Sequence, residues 1–189
     1  MDIITGSYAP GHLYLFARNE DGSFAKGEIL KDKDGKEILV GAASTPWAVD
    51  WDGDGDLALM VGDIAGHVGL GENVGKKGEP AYTTPVKLKQ GTKDIKAGGG
   101  DSQPVVVDFN GDGTLDLVLG HGDGRVSFYA GLKGKSGIVL MNPVTLVEPP
   151  PASAISQPVG SEIVCGVRVK VCVTDVDGDG VLDLLVGDF

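Results

Sequence analysis

The chain has 189 residues, a formal net charge of −11 and a hydrophobic share of 41%. That share is ample for a packed core, whereas the acidic balance argues against nucleic-acid binding, which calls for a basic stripe. No run approaches the roughly 18 to 20 apolar residues of a membrane span, and no signal peptide is visible. The 31 glycines are typical of a turn-rich β protein.

Short apolar and β-branched runs, separated by Gly, Asp and Pro, predict strands along the whole chain. The first copy of the pattern has predicted strands at 2–6, 12–16 and 24–30, the second at 46–50, 57–62, 67–70 and 85–88, and the third at 104–108, 115–120, 125–130 and 144–147. A further strand is predicted at 182–187. Segments 31–36 and 90–93 are predicted hairpin tips, and 148–160 is a predicted proline-rich exposed loop.

Three acidic loops follow the first strand of a copy. They read Asp50-Trp-Asp52-Gly-Asp54-Gly-Asp56-Leu-Ala58, Asp108-Phe-Asn110-Gly-Asp112-Gly-Thr114-Leu-Asp116 and Asp175-Val-Asp177-Gly-Asp179-Gly-Val181-Leu-Asp183. Oxygen side chains at alternate positions, broken by glycines that allow a tight reversal, suit a hard cation with six to eight oxygen ligands. The pattern therefore predicts three Ca²⁺ sites, and three bound ions would reduce the formal charge from −11 to −5.

The positions of the loops also define the length of the sequence repeat and the alignment of its copies. Leu57, Leu115 and Leu182 occupy the same loop position at spacings of 58 and 67 residues, and Asp2 aligns with Asp116. The chain is therefore expected to begin inside a repeat. We expect the end of a first blade at 1–44, a second blade at 45–102, a third at 103–167, and the first two strands of the next at 168–189.

The strands that leave the loops, such as Leu-Asp-Leu-Val-Leu-Gly120, resemble those of FG-GAP repeats, also called VCBS or integrin-α-type repeats, over nearly the whole chain. Four strands per repeat with a loop between the first two describe propeller blades. The resemblance implies an all-β fold, a β-propeller of four-stranded antiparallel blades, with about three blade equivalents present as a fragment of, or assembling into, a larger propeller. It does not imply one activity, because adhesion proteins, lectin-like modules and some lyases share this fold.

In this family, side chains at loop positions 1, 3, 5 and 9 and the carbonyl of position 7 bind calcium. The ligands implied here are Asp50, Asp52, Asp54 and the Asp56 carbonyl; Asp108, Asn110, Asp112, Asp116 and the Thr114 carbonyl; and Asp175, Asp177, Asp179, Asp183 and the Val181 carbonyl. Ala58 occupies position nine of the first loop, so weaker binding is expected there unless Asp56 or water compensates.

The loop pattern also resembles two other kinds of acidic turn. An EF-hand needs a bidentate glutamate at position twelve and flanking helices, but that position is Val61, Leu119 or Val186 inside an apolar strand. The EF-hand interpretation is therefore rejected. Acidic glycine turns that bind no metal remain an alternative, above all for the loop that contains Ala58.

His12, His67 and Arg125 align at the start of the third strand of each copy, at the blade end opposite the acidic loops. They could form a cationic ring for an acidic glycan or a carboxylate, and the alternative is solvated turn residues without a partner. Cys165 and Cys172 are the only cysteines. Cys172 is expected to pack as a buried core residue, with a disulfide through a turn near Gly166 as the alternative.

No nucleophile elbow, zinc-type histidine pair, phosphate loop or separated catalytic carboxylate pair is present. We therefore expect a non-enzymatic, calcium-stabilised module that acts as a binding or interaction scaffold for a protein or glycan ligand. The alternative is part of a propeller enzyme, such as a polysaccharide lyase or hydrolase, with its active site on the face opposite the calcium loops or in missing blades. Weak calcium loops suit an extracellular, cell-surface or periplasmic location. Unpaired propeller edges invite self-association.

Overall fold

The computed structural model describes residues 2–76, 79–135, 137–151 and 166–188, and every regular element in these ranges is a β-strand. The strands are β1 (Ile3–Gly6), β2 (Leu13–Phe16), β3 (Glu28–Ile29), β4 (Thr45–Val49), β5 (Ala58–Gly62), β6 (Val68–Gly71), β7 (Val86–Lys87), β8 (Lys89–Gln90), β9 (Lys93–Asp94), β10 (Gln103–Val107), β11 (Asp116–Gly120), β12 (Val126–Tyr129), β13 (Gly131–Gly134), β14 (Gly137–Leu140), β15 (Val144–Val147), β16 (Lys170–Thr174) and β17 (Asp183–Gly187). In the described ranges, no helix is long and apolar enough to cross a bilayer.

The strands form four antiparallel sheets in chain order. Their strand orders are β1-β2-β3, β4-β5-β6-β7, β10-β11-β12-β15 and β16-β17, and two further hairpins pair β8 with β9 and β13 with β14. The predicted all-β, propeller-type fold with four-stranded antiparallel blades is thereby confirmed. The described sheets form an open series and do not close into a ring.

The register repeats from sheet to sheet. The first acidic loop joins the cross-strand partners Val49 and Ala58, and the second joins Val107 and Asp116. In the first sheet, Gly6 at the end of β1 pairs with Leu13 at the start of β2. The later sheets repeat this pairing, with Gly62 opposite Val68 and Gly120 opposite Val126. The predicted alignment of the opening strand with the second strand of the later copies is therefore confirmed.

Each pair of neighbouring sheets encloses its own apolar core. Leu13 and Leu59 are fully buried between the first and second sheets, while Met60 and Leu117 are fully buried between the second and third. Val105 packs with Val118, Val126, Val169 and Val171 between the third and fourth sheets. Burial of each such side chain contributes about 1.5–3 kcal/mol, so the sheets are held together mainly by these cores.

The hairpin tips predicted at 31–36 and 90–93 are confirmed. In the first, the Asp32 N–H donates to the Lys36 carbonyl at 2.7 Å, and in the second, β8 and β9 pair across a two-residue turn. A different set of hairpins was not predicted from the sequence. In each of the first three sheets, a hairpin that we call the arm extends between the last two strands, at 17–25, 72–83 and 131–140, with 77–78 and 136 outside the described residues.

At the opposite end of the sheets, the chain enters each later sheet through a strained residue. Ala43, Asp101 and Arg168 each lie two residues before the first strand of a sheet, with φ of 53°, 49° and 56°. A non-glycine residue in the left-handed region costs about 1–2 kcal/mol, so the surrounding junction must hold it there.

The residue after this strained position locks the junction between two sheets. The Ser102 hydroxyl accepts the Asp63 N–H at 2.9 Å and lies 2.6 Å from the His67 carbonyl, to which it donates. Ser44 makes the equivalent bonds at the preceding junction. Val169 takes this place at the third junction, where the His121 N–H donates directly to the Arg125 carbonyl at 3.0 Å.

The expectation of a buried Cys172 is wrong, because its side chain is exposed. The equivalent residues, Trp47 and Val105, pack between two sheets, but no described sheet covers this face of the β16-β17 pair. Cys165 lies outside the described residues, as does 152–160 of the predicted proline-rich loop, so the disulfide alternative stays a prediction.

Candidate metal centres

The three acidic loops share one backbone conformation. Gly53 and Gly55 have φ of 81° and 93°, and the glycines at the same positions of the other two loops lie between 73° and 88°. A Cβ atom at these glycines would meet nothing within 4 Å. The left-handed backbone, and not lack of space, therefore explains why glycine occupies these positions.

The first loop brings three carboxylates together. Oxygens of Asp50, Asp52 and Asp54 all lie within 4.8 Å of one another. Asp50 also accepts the N–H of Gly53 at 2.9 Å and of Gly55 at 3.2 Å, which curls the loop around the carboxylates. Like charges this close repel each other in the absence of a cation.

The third loop gathers carboxylates from both of its ends. Oxygens of Asp175, Asp177 and Asp183 lie within 4.8 Å of one another. Asp179 lies outside this group and accepts the Val181 N–H at 2.7 Å. Asp183 also accepts the Val176 N–H at 2.9 Å, so position nine both joins the cluster and fixes the start of the loop.

The second loop is arranged differently, because Asp116 is fully buried. Its carboxylate accepts the N–H of Phe109 at 2.9 Å, of Asn110 at 3.2 Å and of Gly131 at 2.8 Å. Burial raises the pKa of Asp116, and the three backbone donors oppose that shift. Among the described residues, this loop has no trio of carboxylates within 4.8 Å.

Asp116 thus clamps the arm of its blade to the acidic loop, because Gly131 is the first residue of that arm. Asp2 makes the matching contact in the first sheet, where it accepts the Arg18 N–H at 2.9 Å. The role of position nine as an arm clamp was not visible in the sequence, since the arms themselves were not predicted.

Ala58 cannot make this contact, and Asp56 reaches the arm of its blade instead. Asp56 forms a hydrogen bond with the side chain of Asn73, the residue aligned with Gly131 in the third blade. Partial burial raises the pKa of Asp56, and the nearby carboxylates of Asp54 and Asp52 add to the shift. Asn73 was not predicted as a site residue, because the arm that contains it was not predicted.

Two clefts flank the first acidic loop. A cleft of 430 Å³ separates it from the second loop and is lined by Trp51, Leu115, Lys133 and Ile138 together with Asp50. A second cleft of 520 Å³ lies on its other side, between Asp54, Asp56 and the arm at 72–83. Both have the size of a small-molecule or side-chain binding site.

At the opposite end of the blades, the three predicted cationic side chains each have an acidic partner. His12 Nε2 lies 3.0 Å from Glu37, His67 Nδ1 lies 3.1 Å from Asp63, and an Arg125 nitrogen lies 3.3 Å from Asp123. They are therefore neither an unpaired cationic ring nor solvated turn residues without partners. His67 also lines a cleft of 130 Å³, which it shares with Lys87.

His121 lies buried between two junctions. Its Nδ1 accepts the Gly98 N–H at 2.8 Å, and its Nε2 is buried without a partner among the described residues. Burial lowers the pKa of His121 to about 4, an effect that Asp123 opposes and Arg125 reinforces. The ring is therefore neutral at physiological pH and packs as a structural residue.

The antiparallel four-stranded blades and their acidic hairpin loops define a propeller-type repeat protein. Residues 108–186 match the family described as the FG-GAP-like repeat, which confirms the resemblance seen in the sequence for that part of the chain. The chain is also 27% identical over 140 residues to cartilage acidic protein 1 of Xenopus tropicalis. That alignment covers 73% of this chain and 21% of the relative, so the chain spans about a fifth of the length of that protein.

Proposed function

We propose that the chain is a calcium-stabilised extracellular β-propeller module that serves as a binding or interaction scaffold, with calcium in a structural role. The observation that carries the proposal is the convergence of carboxylate oxygens within 4.8 Å in the first and third acidic loops. Carboxylate and carbonyl oxygens are the ligands that Ca²⁺ prefers, and an extracellular location offers enough calcium to fill weak sites.

The first and third loops differ in how they would hold calcium. Asp50, Asp52, Asp54 and the Asp56 carbonyl would bind the ion in the first loop. Asp175, Asp177, Asp179, Asp183 and the Val181 carbonyl would bind it in the third. We rank the third loop above the first, because Asp183 supplies a position-nine carboxylate whereas Ala58 supplies none.

In the second loop, Asp108, Asn110, Asp112 and the Thr114 carbonyl would hold the ion. Asp116 would contribute through the oxygen lone pairs that its three backbone donors leave free. Its position also suits a structural role for calcium, because the ion would then be linked through Asp116 to the arm of the blade.

Calcium would stabilise the blades by neutralising like charges and by cross-linking the ends of two strands. Each acidic loop joins the first and second strands of its sheet, so an ion held there opposes separation of that strand pair. Among the proposed ligands, Asp52, Asp54 and Asp177 are exposed, Asp50 and Asp108 are half-buried, and Asp116 is buried. The exposed carboxylates would keep the loops accessible for exchange of the ion.

Isothermal calorimetry on chelator-treated protein tests the calcium assignment. We expect saturable Ca²⁺ binding at three sites, much weaker binding of Mg²⁺, and loss of one site in the Asp175→Asn/Asp177→Asn double variant. Asp34→Asn is the matched control, because Asp34 is exposed, lies away from the acidic loops and pairs with Lys33. Absence of saturable calcium binding in the unchanged protein would refute the assignment.

The scaffold role is supported by the FG-GAP repeats and by the two clefts beside the first acidic loop. A protein or glycan ligand is the proposed partner, and we propose no catalytic activity. A glycan and extracellular-protein binding screen, followed by a turnover assay on each hit, tests this role. Binding without chain cleavage supports a scaffold, whereas cleavage of a bound polysaccharide would replace it with a lyase or hydrolase.

A further inference from the structure

Asn110 is unlike the other asparagines of the chain because a glycine follows it. Asn19, Asn73 and Asn142 precede glutamate, valine and proline. Loss of the side-chain amide begins when the backbone nitrogen of the next residue attacks the asparagine Cγ, and a glycine at that position has no side chain to obstruct the approach. Asn110 is also exposed, so water reaches the site.

One hydrogen bond of the second acidic loop activates this amide, and a second fixes its orientation. The Asp112 N–H donates to Asn110 Oδ1 at 2.9 Å, which polarises the Cγ carbonyl and places a donor where negative charge develops during attack. Asn110 Nδ2, the leaving nitrogen, donates to Asp112 Oδ2 at 3.0 Å. Both ends of the amide are therefore held by one neighbouring residue.

The attacking nitrogen, that of Gly111, also lacks the hydrogen bond that the equivalent glycine nitrogens make in the other two loops. The Gly53 N–H donates to Asp50 at 2.9 Å and the Gly178 N–H donates to Asp175 at 2.7 Å. In the second loop, the matching oxygen of Asp108 accepts the N–H of Asp112, and the described residues provide no acceptor for the Gly111 N–H. The Gly111 nitrogen is therefore available for deprotonation and attack.

We propose that Asn110 is a self-modification site at which the loop promotes deamidation. The Gly111 nitrogen gives its proton to hydroxide and forms a bond to Asn110 Cγ. The bond from Cγ to Nδ2 then breaks, and ammonia leaves with a proton taken from water. Hydrolysis of the resulting cyclic imide at Cγ gives aspartate, and hydrolysis at the main-chain carbonyl gives isoaspartate. No oxidant or cofactor is needed, because one water molecule balances the loss of ammonia.

The two products have opposite consequences for the loop. Aspartate at position 110 reproduces the pattern of Asp52 and Asp177 and adds a carboxylate to the second loop, whereas isoaspartate lengthens the backbone between Phe109 and Gly111. The effect on calcium binding rests on the proposed function, but the reaction itself does not. A test in the presence of a chelator therefore separates the two.

Peptide mapping by mass spectrometry, on the folded 189-residue chain aged with chelator at neutral and mildly alkaline pH, tests the reaction. We expect the amide-to-acid mass change at Asn110, about tenfold or more faster than at exposed Asn19, because glycine leaves the attack unobstructed. The rate should rise with pH, and Asn110→Gln should abolish the change in this peptide. Equal rates at Asn110 and Asn19 would overturn the proposal.

A synthetic peptide spanning 104–118 isolates the contribution of the folded loop. If the loop promotes the reaction, Asn110 in the folded protein converts at least as fast as Asn110 in the free peptide. Slower conversion in the folded protein would mean that the loop protects the amide, which contradicts the proposal. Asn110→Asp serves as the product standard and, in a separate calcium titration, is expected to bind more tightly than the unmodified chain.

Discussion

The two ends of the blades handle polar groups in opposite ways. At the acidic-loop end, carboxylates such as Asp52 and Asp177 are exposed and lie close to one another. At the opposite end, polar groups such as Ser102 and His121 are buried, and each is hydrogen-bonded to the backbone of a segment outside its own strand, Ser102 to His67 and His121 to Gly98. Exposed carboxylates can exchange water for an ion at small cost, whereas a buried polar group that loses its partner is costly.

The acidic-loop end of the blades is therefore expected to determine cation binding, and the buried end is expected to determine the stability of the fold. Mutations at the exposed carboxylates should change cation binding and leave the apo fold nearly intact, and mutations at the buried end should destabilise the fold. Asp116 is the exception, because it is buried and yet belongs to an acidic loop. Substitution of Asp116 is therefore the strongest test of this difference between the two ends of the blades.

Asp116→Ala should produce the largest effect. The change leaves the N–H groups of Phe109, Asn110 and Gly131 without their acceptor. The Gly131 donor is buried and costs about 1–3 kcal/mol when unsatisfied, and the two less buried donors and the lost packing of the side chain add to this. We expect a loss of about 3–5 kcal/mol in urea unfolding with chelator present. Asp2→Ala removes one exposed contact to Arg18 and is the control. Equal losses in both variants would remove the distinction between a buried clamp and an exposed one.

Protonation of His121 should have the next largest effect. The pKa is about 4 in the folded state against an ordinary value of 6.5, so the folded state favours the neutral ring. The stability is complete above pH 6.5 and falls as the pH decreases towards 4, by about 3 kcal/mol over that window.

Urea unfolding between pH 7 and pH 4, compared between the unchanged protein and His121→Asn, isolates this contribution. The asparagine carbonyl can accept the Gly98 N–H without titrating. We expect the variant to lose less stability than the unchanged protein as the pH falls. Identical pH dependence in both proteins would show that His121 does not titrate with the predicted shift.

Ser102→Ala tests the junction lock at the buried end. The change leaves the Asp63 N–H and the His67 carbonyl without the hydroxyl, which should cost about 2 kcal/mol. Ser23→Ala, at an exposed turn, should cost little by the same chemical denaturation measurement. If both serine variants unfold at the same urea concentration, the hydroxyl does not lock the junction.

Ala58→Asp tests whether the exposed end of the blades determines calcium affinity. A carboxylate at position nine would add a ligand charge to the first loop, and we expect about tenfold tighter calcium binding there. Calorimetry should show the change at one site only. Unaltered affinity would indicate that Asp56 already supplies the missing charge through its contact with the arm at Asn73.

Ala43→Gly should produce the smallest effect and should be stabilising. Glycine accepts the φ of 53° at this position without strain, and we expect a gain of about 1 kcal/mol in unfolding free energy. Ala42→Gly is the neighbouring control and should not stabilise. Destabilisation by Ala43→Gly would show that the junction does not strain this residue.

Strand positions and loop register could be read from the sequence because they depend on local patterns. Alternating apolar runs predicted β10 to β12 within one or two residues, and the acidic loops fixed which strands pair. In the first copy the predicted strand at 24–30 shortened to β3, with Phe24 forming only an isolated bridge to Arg18. The cause is the arm, which takes up the start of that segment.

The long-range contacts could not be read in this way. The acidic partner of His12 is 25 residues away, and nothing in the sequence around either residue indicates the pairing. The burial of Asp116 depends on an arm that begins 15 residues later. The exposure of Cys172 depends on which sheets cover β16, and a repeat pattern cannot reveal this. Which of the predicted ligands hold calcium stays a prediction.

The central claim is that calcium in the acidic loops stabilises the blades, and urea unfolding with saturating calcium or with chelator tests it most directly. A ligand present at a hundred times its dissociation constant adds about 2.7 kcal/mol per site, so we expect a clear rise in the unfolding midpoint with calcium. The rise should shrink when Asp175 and Asp177 are both replaced by asparagine. The same midpoint in calcium and in chelator would contradict the account.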